Sequence, residues 1–338
     1  MTRAEPPKRT PSPEPPLQKT WGRRFGFLTR QGVWLALVAL TVVGGLRYER
    51  FLSEYNIESF LRYNAMFGLI ALGMAFVIMT GGIDLSVGSV VAFSSVVSAL
   101  LSQQGLWPAT LAALLAGAGL GLVNGLVITR LNVLPFITTL AMMLAARGGA
   151  LTLAKNQSVG VSYDTNFITL GQGNWLGFPV PAWVLFGAYL VGFIVLHHTP
   201  FGRHVLALGG NEEAARLMGL PTNRLTVAVY TLSGLLAGLA GVILASQFGA
   251  GQPTEGLGWE LSAIASVVVG GTLLTGGLGS VGGTLAGALL LGLIFNMLNF
   301  ENGRGVISLS SYWQSVIRGG FLLLVVLLQN RLARDLKK

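Results

Sequence analysis

The chain has 338 residues, 52% of them hydrophobic and only 10% charged, with a mean hydropathy of +0.66. A soluble domain carries roughly 25% charged residues, so composition excludes one and identifies a polytopic membrane protein. A net charge of +9 would suggest nucleic acid in a soluble chain, but in a membrane chain basic residues gather in cytoplasmic loops and set topology; the lack of cysteine excludes disulfides, thiolate nucleophiles and Cys-held clusters.

Residues 1–30 read as a disordered, basic, Pro-rich tail. Six prolines fall between Pro6 and Pro16, and such a segment cannot pack a core. Arg3, Lys8, Arg9, Lys19, Arg23, Arg24 and Arg30 make it a topogenic flank that can lie against membrane lipid. The first apolar run, 33–46, reads as a span rather than a cleaved signal: the charged region before it is long and no small-residue cleavage site follows. Further runs at 64–80, 84–101, 108–129, 133–153, 181–197, 225–246, 259–275, 282–299 and 312–329 give an all-α fold of about ten transmembrane helices. The permease-sized membrane domain is 31–330, and 331–338 is a basic tail.

With the N-terminus inside, the inner side collects the basic tail, Arg130, Arg203, Arg216, Arg224 and the basic C-terminus. The outer side keeps Arg47, Arg50, Arg62, Lys155 and Arg304 and most of the acids, among them Asp164 and Glu255. The imbalance puts both termini in the cytoplasm.

One stretch breaks the apolar pattern: Thr80 to Ser89, TGGIDLSVGS. Gly81 and Gly82 interrupt a helix, Asp84 puts a carboxyl group among Ile, Leu and Val, and Ser86 opens the next run. A carboxylate at the centre of a membrane helix costs about 2.5–3.5 kcal/mol on insertion scales. The stretch reads either as a discontinuous helix beside a pathway or as a turn in which Asp84 caps the next helix. Thr275-Gly276-Gly277 reads as a matching break in the second half.

Two connections are long. The outer loop 154–181 is polar and large enough to meet a partner. The inner loop 199–224 contains Asn211, a helix cap, followed by Glu212 and Glu213 at the positive end of a short helix that Gly219 and Pro221 terminate. This helix, 211–219, is the obvious docking element for a partner that supplies energy. No phosphate-binding GK[ST] loop, nucleophile elbow or HExxH pair occurs, so no catalytic residue is assigned. His197, His198 and His204 are too few and poorly spaced for a metal site.

Three blocks, TGGIDLSVGS at 80–89, PFGRHVLALGGNEEAARLMGL at 200–220 and ELSAIASVVVGGT at 260–272, resemble the permease subunits of bacterial sugar ABC importers of the ribose/galactofuranose type. The segment LNFENGRGVISLSSYWQ most resembles the second galactofuranose permease. The resemblance covers about residues 55–330. It implies a non-catalytic inner-membrane subunit moving a monosaccharide, and the narrower match points to a furanose such as galactofuranose. It also implies a second permease copy or paralogue, a cytoplasmic ATPase with tandem nucleotide-binding domains, and a periplasmic sugar-binding protein. No cofactor is implied in this chain, since ATP is bound by the ATPase. Glu213-Ala214-Ala215 with Gly219 is similar to the EAAxxxG pattern that inserts into the ATPase, and Gly210, Asn211 and Glu212 lead into it. Asp164 and Glu255 are the candidate contacts for the binding protein. The competing reading is an ion-coupled carrier working without an ATPase, which requires intramembrane ion pairs; Asp84 and Arg318 offer little of that.

Overall fold

The computed structural model describes residues 21–303 and a few positions between 313 and 327. The Pro-rich segment before Trp21, most of the apolar run at 312–329 and the basic end at 331–338 lie outside the described residues. Helix α1 (Trp21–Arg47) begins inside the stretch read as tail, past the last proline of that stretch, Pro16.

Helix α2 (Glu54–Met79) is the mast of the bundle. It starts at Ser53, whose hydroxyl accepts the Asn56 N–H, with Glu54 at the positive end. From Asn64 to Met79 it is apolar nearly all round, and such a helix must be covered on every side. Helices α3 (Val87–Leu101), α4 (Leu106–Arg130) and α5 (Pro135–Leu153) follow, the last opening on a proline that needs no N–H partner there. The loop after α5 folds on itself through β1 (Val159–Gly160), the short α6 (Thr169–Gln172), β2 (Asn174–Trp175) and β3 (Phe178–Pro179). Then come α7 (Val180–His198), α8 (Pro200–Gly210), α9 (Glu212–Leu217), α10 (Thr222–Phe248), β4 (Ala250–Gly251), α11 (Trp259–Val269) and α12 (Val281–Gly303).

The most extensive packing joins α4 to α10. A Cβ on Gly117 would lie 2.3 Å from the Gly234 carbonyl oxygen, and one on Gly121 2.2 Å from that of Tyr230. Glycines one turn apart let the two backbones touch, which is how helices pack closely where lipid offers no hydrophobic drive. Large side chains such as Leu111, Leu115 and Leu122 face outward on the other side of α4.

Among the described residues seven helices are long and apolar enough to cross a membrane: α2, α3 with its 3₁₀ extension to Gln104, α4, α5, α7, α10 and α12. The run at 259–275 is not a full span. Gly270 and Gly271 end it after 11 residues, roughly 16 Å of helix against a hydrocarbon core of about 30 Å.

The short helix is made possible by the chain before it. Gly249, with φ of 70°, turns α10 back on itself, and β4 pairs antiparallel with β1. The connection then descends along α3. The Gln252 N–H donates to the Ser95 hydroxyl at 3.1 Å, and the Gly256 carbonyl lies against Gly88, the second residue of α3. Helix α11 therefore starts deep in the bundle.

Candidate functional site

Three pieces of chain that the sequence singled out separately meet at one end of the bundle. The first break closes α2 with two backbone bonds: Gly81 N–H to Ile78 O at 2.8 Å and Gly82 N–H to Val77 O at 3.1 Å, with Gly81 left-handed at φ 83°. The second closes α11 in the same way. Gly271 N–H reaches Val268 O at 3.0 Å and Thr272 N–H reaches Val267 O at 3.2 Å, with Gly271 at φ 88°. The structural counterpart of Thr80-Gly81-Gly82 is thus Gly270-Gly271-Thr272. The sequence pairing with Thr275-Gly276-Gly277 is displaced by five residues, because those glycines form an extra turn before Ser280 caps α12.

That extra turn belongs to the second break, which therefore spans 270–279, and it carries the contact between the halves. Gly277 N–H donates to Met79 O at 3.0 Å. A Cβ on Gly276 would lie 2.8 Å from the Gly81 nitrogen. The end of α8 wedges into the same place: a Cβ on Gly209 would lie 1.9 Å from Met79 O and 2.6 Å from the Gly277 nitrogen. Gly210 touches Gly277. Both breaks and the α8 terminus are in backbone contact, with no side chain between them.

Helix α9 hangs from this joint. The Asn211 side chain accepts the Ala214 N–H at 2.9 Å, Glu212 and Glu213 occupy the first turn, and Gly219 at φ 81° ends the helix. Ala215 is buried against the bundle, while Leu217 and Met218 are 83% and 71% exposed. The Glu212–Arg216 ion pair at 2.9 Å is also exposed and stabilises little. A cavity of about 350 Å³ separates α9 from the first break, lined by Glu212 and Arg216 on one side and Gly81, Gly82 and Tyr230 on the other.

Asp84 is 1% exposed. One carboxylate oxygen accepts the Ser86 N–H at 3.0 Å and the Ser86 hydroxyl at 2.6 Å; the other accepts the Ser233 hydroxyl at 2.9 Å. Asn124 donates to the Ser86 hydroxyl at 3.0 Å. The carboxylate thus ties the break to α10 directly and to α4 through Ser86. It does not cap α3 by reaching into the first turn; it takes the N–H of the residue before the helix. The backbone contributes one of its three donors and hydroxyls the others. Tyr230 and Thr139 hold the neighbouring Ile83 carbonyl at 3.4 and 3.3 Å. Sequence reasoning missed Asn124, Ser233, Tyr230 and Thr139. Their signal was only a polar group on an otherwise apolar helix.

The opposite end holds the other candidates. Asp164 is exposed in the loop after α5. That loop is tied to α2 by Arg62, which donates to the Gly171 carbonyl at 2.9 Å and to Asn174. Glu255 is not placed beside Asp164. It sits low on the descending connection, half-buried, next to the Gly256 contact with Gly88. Between α2, α11 and α12 lies a further space of about 280 Å³. At its rim Asn56 and Asn296 pair their amides at 3.0 and 3.2 Å, an interhelical bond of the kind that joins membrane helices.

The family described as branched-chain amino acid transport system / permease component matches residues 56–326. The chain is 43% identical over 310 residues to the ribose import permease protein RbsC of Bacillus subtilis, covering 90% of this chain and 94% of that one. It is 39% identical over 322 residues to RbsC of Escherichia coli K12, covering 93% and 98%. It is 38% identical over 336 residues to the L-arabinose ABC transporter permease protein AraH of Azospirillum brasilense, covering 97% and 96%. No solved structure matches the chain.

Proposed function

The chain belongs to the branched-chain amino acid transport system / permease component family as a sugar ABC importer permease of the ribose type, and on that premise we propose how it works and with what. It is a non-catalytic, multi-pass protein of the bacterial inner membrane. The cargo is a monosaccharide. Relatives named for ribose and L-arabinose support a pentose-sized substrate, and a furanose such as galactofuranose is the narrower candidate from the resemblance of residues 298–314. Energy enters through a cytoplasmic ATPase with tandem nucleotide-binding domains. Sugar arrives on a periplasmic binding protein, and a second permease, a copy or a paralogue, completes the pathway.

The observation that carries this reading is the seating of α8–α9. A short helix exposing Leu217 and Met218 offers an apolar knob to a partner, and its root, Gly209, rests on both breaks at once. The end that carries it also carries Arg130, Arg203, Arg216 and Arg224, the basic face expected inside. ATPase closure would push α9, and Gly209 would pass the displacement to Met79 and Gly277. In this scheme Asp84 holds the first break in shape, its two carboxylate oxygens tying Ser86 to Ser233. Asp164 faces the binding protein, and its charge steers docking over about a 10 Å Debye length at 0.1 M salt.

The test replaces Glu213 with Lys and Gly219 with Leu together. Both are exposed, so insertion and bundle packing should survive, while a leucine at the left-handed Gly219 disturbs only the end of α9. Co-purification of the ATPase should fall and ATP-driven uptake in proteoliposomes should collapse. Normal uptake by the double variant, or sugar uptake by the permease alone, would overturn the reading.

A further inference from the structure

The descending connection between Phe248 and Trp259 brings three charged residues to one level of the bundle. Arg147, on α5, donates from Nη1 to the carbonyls of Pro253 and Glu255 at 2.6 and 2.5 Å. These carbonyls belong to irregular backbone that has left the surface, and such backbone must be satisfied by protein or by a water-lined space. Arg147 does this with one nitrogen, and its buried Nε has no partner. Glu260, in the first turn of α11, has its carboxylate 3.0 Å from where a Cβ on Gly88 would be. That places it 13 residues below the end of α3 at Leu101, roughly 20 Å.

Arg147, Glu255 and Glu260 are each half-buried, and the Glu255 carbonyl that Arg147 holds sets the guanidinium on the same short stretch of chain as both acids. Yet the ion pairs among the described residues are Arg47–Glu301, Arg62–Glu58 and Arg216–Glu212, and none includes Arg147. Beside them Leu257 and Leu261 are 73% and 49% exposed, so this face is uncovered in the single chain. Ionisable groups at membrane depth that faced acyl chains would cost about 2.5–3.5 kcal/mol each, so the face must meet water, a polar cargo or protein.

We propose that Arg147, Glu255 and Glu260 form a polar station inside the membrane that holds the hydroxyl groups of the sugar in transit. This rests on the reading of the chain as a sugar permease. The guanidinium offers donors, and the two carboxylates offer acceptors that a pair of neighbouring hydroxyls can bridge. A neutral amide would do either less well, because bonds to charged groups are the stronger ones. Glu260 is steadied by the backbone at Gly258 and the start of α11, and Arg147 by the carbonyls it holds, so the station is positioned before cargo arrives. Arg147 has a second duty, since without it the carbonyls of Pro253 and Glu255 lose their donor.

The chain has no cysteine, so single cysteines can be introduced one at a time. In the permease–ATPase–binding-protein complex in proteoliposomes, Leu261→Cys is reacted with a charged, water-soluble methanethiosulfonate. Leu115→Cys on the outer face of α4 is the comparison. The expected result is modification at least tenfold faster at position 261, slowed several-fold by millimolar ribose, L-arabinose or galactose. Adding Glu260→Gln should abolish the slowing while position 261 stays reactive. Arg147→Gln can fail to assemble, so Glu260→Gln is the deciding variant. Equal, slow modification at both positions means that lipid or a second copy covers the face. Modification unaffected by any of the three sugars means a wet wall without a station. Either result, or full protection surviving Glu260→Gln, overturns the proposal. ATP-driven uptake by the unsubstituted complex separates the two readings: if uptake stands and protection fails, the station falls alone.

Discussion

The two ends of the bundle are held by different chemistry. At the α8–α9 end the contacts are backbone on backbone: Gly209 on Met79, Gly277 on Met79 and Gly276 on Gly81. At the loop end irregular chain is held by an arginine reaching into carbonyls, Arg62 to Gly171, and along the descending connection inside the bundle Arg147 does the same for Pro253 and Glu255. A backbone contact has no slack, because protein interiors deform little and a displaced atom pushes its neighbour. An arginine has several torsions and can follow a moving loop. The first arrangement suits transmission of a push, and the second suits a surface that must receive a partner and release a cargo.

The contrast is broken most severely at its tightest point. Gly209→Val puts a branched side chain where even a Cβ would lie 1.9 Å from Met79 O. Overpacking of this kind costs about 1–3 kcal/mol, and here it also separates α8 from both breaks. Uptake should be lost and the melting temperature of the purified permease should drop. Uptake near the unsubstituted level would show that the joint is not the route.

Asp84 sharpens the comparison one step away from the joint. Asp84→Asn keeps the shape and one acceptor oxygen, enough for Ser86, while its amide nitrogen donates to the Ser233 hydroxyl, and should fold with partial transport. Asp84→Leu strands the Ser86 N–H and two hydroxyls at roughly 1–3 kcal/mol for each buried group left unpaired. It should lower both melting temperature and uptake. If Asn proved as inactive as Leu with unchanged stability, a proton-carrying role would replace the structural one.

The legible part of this architecture was what composition and punctuation encode. Apolar runs gave most of the spans. The Asn211, Glu212 and Gly219 signals marked the ends of α9 because capping is local chemistry. Where the apolar run ran through a break, sequence overshot: 259–275 holds α11 only to Val269, since Gly270-Gly271 looks like one more pair of small residues in a Gly-rich chain. The partners of Asp84 were hidden for another reason. Ser233 lies 149 positions away, and one hydroxyl on an apolar helix says nothing about which carboxylate it will meet. The descent of 252–258 was equally invisible, because glycine, proline and glutamate there read as an ordinary surface loop until Gly88 leaves room for it.

The smallest expected effect lies at the compliant end. Arg62→Lys removes the fork that spans Gly171 and Asn174 but keeps a donor and a charge. Assembly and uptake should stay within a few-fold of the unsubstituted complex, with faster hydrogen exchange in the loop at 166–178. Loss of transport as complete as for Gly209→Val would erase the distinction between the ends.

A joint of backbone contacts requires that α9 and both breaks move as one body. Spin labels on paired cysteines in the assembled complex read this directly, at Met218, the residue that closes α9, and Leu278 in the second break, both exposed, and at Met218 and Tyr163 across the bundle. Between nucleotide-free and ATP-bound states the Met218–Leu278 distance should stay unchanged while the Met218–Tyr163 distance changes. A Met218–Leu278 distance that changes while Leu278 holds its place relative to Tyr163 would contradict a rigid joint.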